Sequence, residues 1–149
     1  MGVAAELPQE SSFLEPGQNC WRVEKASRAA LVVDACDYYR LALHAMLEAR
    51  SQILLIGWDI DTRVTLTDRE PPCSAPTKLG PLLSWLSSRR PDLKIYILAW
   101  DEALLKVPGR GTTPFRLLRW AIDKKVSIKW DSSHPLNASH HQKLSLIHI

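Results

Sequence analysis

Much of what would assign this chain to a special class is missing from it. Its three cysteines, Cys20, Cys36 and Cys73, are odd in number, far apart and without the paired spacing of zinc ligands. Neither a disulfide framework nor a metal finger is indicated. The apolar runs Ala29–Val33 and Ile53–Ile56 fall far short of the ~20 residues that a membrane-crossing helix needs. A basic start followed by an apolar stretch, the mark of a secretory leader, is not visible at the amino terminus. The expected location is therefore the cytoplasm, where thiols stay reduced, with peripheral membrane contact left open. Glycine is scarce, and the loop Pro108-Gly-Arg-Gly-Thr112 lacks the lysine and hydroxyl that a phosphate-cradling P-loop carries. It reads as a surface turn.

What is present is the composition of a folded domain. At 149 residues, 46% hydrophobic and 23% charged, the chain can bury one core. Net charge is +3, and because Glu6, Glu10 and Glu15 stand among residues 1–19 without any Lys or Arg, residues 20–149 carry +6. A mild basic bias suits an anionic partner such as a phospholipid headgroup or nucleic acid, and equally a domain with solvated lysines. Residues 1–18, with Pro8, Pro16 and Gly17 and little aliphatic content, read as a flexible lead-in.

Beyond the lead-in, short apolar runs alternate with helical periodicity. Ala29–Val33 suits a strand, and Asp34 stands where an N-cap would start a helix running to about Arg50. Tyr38, Leu41, Ala42, Ala45, Met46 and Ala49 recur at three-to-four spacing and predict its apolar face. Ile53–Trp58 predicts a buried strand, Thr67–Pro76 a loop, and Leu79–Arg89 a helix with Pro81 in its first turn. Leu93–Trp100 predicts a second buried strand, residues 114–123 a third helix, and Val126–Trp130 another strand. The implied fold class is α/β, a mixed, largely parallel sheet flanked by helices.

Sites in such sheets gather at strand ends. Asp59, Asp61, Asp101 and Asp131 each follow a predicted strand and are candidates for a pocket rim, with loop capping the plainer role for Asp61 and Asp131. Trp58, Trp85, Trp100, Trp120 and Trp130 read as core or rim packing. His44 lies on a helix without a partner one turn on and reads as structural. The chemistry concentrates in Ser139-His140-His141-Gln142-Lys143, reached through His134-Pro135. On an extended segment His141 and Lys143 point the same way. An imidazole can then serve as nucleophile or proton donor while the ammonium steadies the non-bridging oxygens of a phosphate.

Several segments together resemble one family. Asn19-Cys-Trp-Arg-Val23, Ala29–Tyr39, Ile53–Asp61, Pro91–Asp101, Trp130-Asp131 and His134–Lys143 are similar, in order and spacing, to the first half of bacterial phospholipase D-like proteins. In that superfamily the HKD motif reads His-x-Lys, four residues, then Asp, and two copies meet at one active site. His141 and Lys143 match; the Asp position falls on His148. The resemblance implies a half-domain spanning residues 19–143 and catalysis through a phosphohistidine, with His141 and Lys143 catalytic. On this resemblance no cofactor and no metal are expected, and the substrate is a glycerophospholipid, cleaved or transferred as in phospholipases D and cardiolipin synthase-like enzymes. His134, Asp59 and Asp101 are the expected substrate-binding residues. The second motif is expected from a missing carboxy-terminal half or from a dimer partner, leaving this chain inactive alone. A nuclease of the same superfamily, or a non-catalytic domain binding membranes or nucleic acid, are the alternatives.

Leu144-Ser-Leu-Ile-His-Ile149 is what one reading frame of a transposon mosaic-end sequencing adaptor encodes. Residues 144–149 are accordingly expected to be a foreign tail, and the chain an amino-terminal fragment ending inside the motif.

Overall fold

The computed structural model describes residues 13–100, 115, 117–120, 126–135, 138 and 141–149. Two compact units divide it, Met1–Leu31 and Val32–Ile149. In the first, the Gly17 amide donates to the Cys20 carbonyl at 2.8 Å, closing a turn. A φ of +85° at Gly17 is a conformation that a side chain would resist. Asn19 braces the same turn, its Oδ1 accepting from the Glu15 amide at 2.7 Å and its Nδ2 donating to the Phe13 carbonyl at 2.8 Å.

The second unit opens with the expected cap. Asp34 Oδ1 accepts the Cys36 amide at 2.8 Å, and helix α1 follows as Ala35–Glu48. Its buried face is turned from the expected one: Leu43 is among the deepest residues, whereas Leu41 and Tyr38 remain substantially exposed. The apolar stripe thus centres on Ala42, Leu43 and Met46. No basic residue stands in the last turn of α1. Arg90, from beyond α2 (Leu79–Arg89), supplies that charge by donating to the Leu47 carbonyl at 2.7 Å and to the Ala49 carbonyl.

Four strands form one sheet: β1 Gln52–Gly57, β2 Lys94–Trp100, β3 Val126–Asp131 and β4 Lys143–His148. Their order is β3-β2-β1-β4, with β1 parallel to β2, β2 parallel to β3, and β4 antiparallel to β1. The mixed, largely parallel sheet is as the sequence implies. Ile53, Leu55, Ile95, Ile97 and Val126 share one face and form the core with Leu43, Met46, Leu82, Leu83 and Leu86 of the two helices. Each fully buried leucine contributes about 2 kcal/mol. Residues 117–120 are helical, and Leu117 and Trp120 join that core, where the Trp120 indole donates to Ser84 Oγ at 2.8 Å.

β1 and β2 are not buried on both faces, as their apolar runs suggest. Burial alternates along each: Leu54, Ile56 and Leu98 are half-buried and Tyr96 is exposed. Both helices pack on one side, so the other is only partly covered among the described residues. The strand expected at Ala29–Val33 is not formed, and Leu31 and Val33 are 92% and 74% exposed. Apolar character does not make a strand without a ladder partner, and both edges of β1 are occupied, by β2 and β4. The expected surface turn Pro108–Thr112 and the outer parts of the third helix lie outside the described residues.

Candidate functional site

The carboxyl ends of β1, β2 and β3 lie at one edge of the sheet, and antiparallel β4 starts at that same edge. Gly57, at the end of β1, is paired with Lys143, at the start of β4. A glycine fits here because the chain folds back at once: a Cβ on Gly57 would lie 3.2 Å from the Asp59 carbonyl oxygen and 3.6 Å from Ile60 Cδ1. Register puts Lys143, Ser145 and Ile147 on the helix-facing side of the sheet. The Tyr38 hydroxyl of α1, 3.0 Å from Ser145 Oγ, agrees with that direction.

Lys143 therefore lines a cleft of about 570 Å³ between α1, the end of β1 and the loop after it. Tyr38, Tyr39, Met46, Leu55 and Trp58 give the cleft an apolar wall, and Asp34, Asp59 and Asp61 stand at its polar parts. Asp61 is engaged by Arg63, whose amide and Nη2 donate to it at 2.8 and 2.7 Å. That hydrogen bond, and the charge behind it, hold the Arg63 guanidinium above its ordinary pKa. Asp131 caps its own loop by accepting the Ser133 amide at 2.9 Å. Capping is thus visible for both Asp61 and Asp131.

Of the charged residues singled out in the sequence as site candidates, Lys143, Asp59 and Asp61 share this cleft. His141 precedes β4 by two residues and is exposed. Asp101 and His140 lie outside the described residues. His134 is half-buried above the end of β2, where its Nε2 accepts the Trp100 indole N–H at 2.9 Å. The ring proton then belongs on Nδ1, which faces the Pro135 carbonyl at 3.1 Å. Trp100 is itself stacked on Trp58, ring centroids 5.4 Å apart.

Among the described residues no group of three or more His, Cys, Asp or Glu is gathered for a metal ion, and no helix is long and apolar enough to cross a membrane. No family model matches the chain. Phospholipase D C of Dictyostelium discoideum is 29% identical to it over 117 residues, covering 77% of this chain and 7% of that protein. The chain is similar to a phospholipase D. That similarity points toward the phospholipase D family. The chain spans a small part of this relative's length.

Sequence reasoning missed the ladder Trp58–Trp100–His134. Its signal was present: two tryptophans close predicted strands, and a histidine follows a third. Reading the tryptophans one by one as packing hid the fact that parallel pairing brings the strand ends together.

Proposed function

We propose that this chain supplies one half of a phospholipase D-type site that cleaves or transfers the phosphodiester of a glycerophospholipid. The observation that carries this reading is the placement of Lys143 opposite Gly57, at the carboxyl ends of the parallel strands, with His141 two residues before it. An imidazole nitrogen of one motif would attack phosphorus, forming an N–P bond as the ester oxygen leaves with a proton from the other motif's histidine. Water or an alcohol then takes the phosphoryl group and the roles reverse. Lys143 and its counterpart would hold the phosphoryl oxygens.

The second His-x-Lys would come from a further part of a longer polypeptide or from a second copy. In this reading residues 144–149 are foreign, and the native strand continues along β1 in the same register with other side chains, because the ladder is built from backbone groups. The motif carboxylate would then occupy the position of His148 and orient the histidine. Peripheral contact with a phospholipid surface belongs to the same reading.

The test is to determine the native coding sequence after Lys143, express the restored two-motif protein and assay it on phospholipid vesicles and on DNA. Release or exchange of headgroup that disappears in His141→Ala, with vesicle binding kept, supports the reading. Cleavage of DNA alone would move it to the nucleases. Binding without turnover in the restored protein would replace it with a non-catalytic domain.

A further inference from the structure

The sheet order sets a constraint on the segment that delivers His141. β3 and β4 are the two edge strands, so residues 132–142 must pass from one edge to the other, three strand spacings or roughly 14 Å. Both ends of that stretch lie at the edge where β2 and β1 have their carboxyl ends, since Asp131 pairs with Trp100 and Lys143 with Gly57. One described side chain on this crossing is anchored to the strand ends by a side-chain hydrogen bond: His134, through its Nε2 and the indole of Trp100. The rings of that pair lie 5.8 Å apart, tilted by 58°. Trp100 is 4% exposed and stacks on Trp58 in turn, so the ladder ties the crossing to the ends of both β2 and β1.

The seat is directional. The Trp100 indole can only donate, so His134 must present a lone pair at Nε2 and carry its proton on Nδ1. The Pro135 carbonyl accepts from that side and also from the Ala138 amide at 3.0 Å, so the imidazole and the Ala138 amide share one acceptor. The His134 amide donates to the Ser132 carbonyl at 2.9 Å, which holds the near side of the same turn.

We propose that His134 is a positioning residue: as a hydrogen-bond acceptor for Trp100 it seats the crossing segment, and through that seat it fixes where His141 is presented. It acts on His141 and not on the substrate. What His141 then does rests on the reading above, whereas the seat itself does not.

The experiment uses the 149-residue chain, ¹⁵N-labelled, with NMR of the Trp100 indole N–H and the His141 Cε1–H. His134→Ala should speed exchange of the indole proton about tenfold, as loss of its acceptor requires, and shift the His141 signal. His134→Gln, whose amide oxygen can accept in place of Nε2, should restore both. If His134→Ala unfolds the sheet, Trp100→Phe tests the same seat by removing the donor while keeping a ring against Trp58, and the same His141 shift is expected. A His141 signal unmoved in a folded His134→Ala or Trp100→Phe chain overturns the proposal, as does failure of Gln to restore it. Inorganic phosphate separates the two readings. If it leaves the wild-type His141 signal unchanged, the catalytic pair loses support while the seat stands on its own readouts.

Discussion

Lys143 and Gly57 face each other across the antiparallel pair of β4 and β1, one residue with a long, charged side chain and the other with none. The absent side chain lets the loop after β1 fold back under the lysine.

Gly57→Ala is expected to destabilise the chain by about 1–3 kcal/mol, because the added methyl would stand 3.2 Å from the Asp59 carbonyl oxygen, a backbone atom that yields only if the loop shifts with it. Urea unfolding followed by circular dichroism measures it. A stability change below about 0.5 kcal/mol would show that the loop gives way freely.

Arg90→Ala should cost about 1.5–3 kcal/mol by removing charged hydrogen bonds from the carbonyl end of α1. Arg90→Lys should recover part of this, since one ammonium cannot reproduce the fork that reaches both carbonyls. Comparing the two denaturation midpoints decides the point.

Ser84→Ala leaves the indole N–H of buried Trp120 without its hydroxyl acceptor. The expected loss is about 1–3 kcal/mol, the cost of a buried donor left unpaired. Ser84→Thr, which keeps the oxygen, should lose less; equal losses for both would argue for packing as the cause.

In the restored two-motif enzyme, His141→Ala and Lys143→Ala are each expected to lower kcat roughly 10²–10⁴-fold with little change in vesicle binding. The 149-residue chain alone should show no turnover as a verified monomer. Turnover by that monomer would sink the shared-site mechanism.

The elements legible in the sequence were those whose local signals agreed. Asp34 before a three-to-four pattern predicted α1, and Leu79–Arg89 was found with its expected bounds. Partnering was not legible: Ala29–Val33 and Ile53–Ile56 are alike in composition, yet only the second has neighbours on both sides. The rotation of α1 escaped because several alanines fit either of two adjacent stripes, and Leu43 settles the choice only when the helix meets the sheet. In the site, His-x-Lys was legible as a pattern. The seat under His134 was not, since it depends on two residues 34 apart meeting at adjacent strand ends.

The outer side of β4 presents backbone amides and carbonyls to solvent, with no further strand beside it among the described residues. Its residues Leu144, Ser145, Leu146 and Ile147 carry no charge, and no proline or bulge blunts it. Such an edge is a template for a second chain to add itself, so concentrated preparations should self-associate through β4. Leucine-to-lysine changes at positions 144 and 146, whose side chains point away from the helices, would put a repelling charge on that edge and keep the chain dispersed.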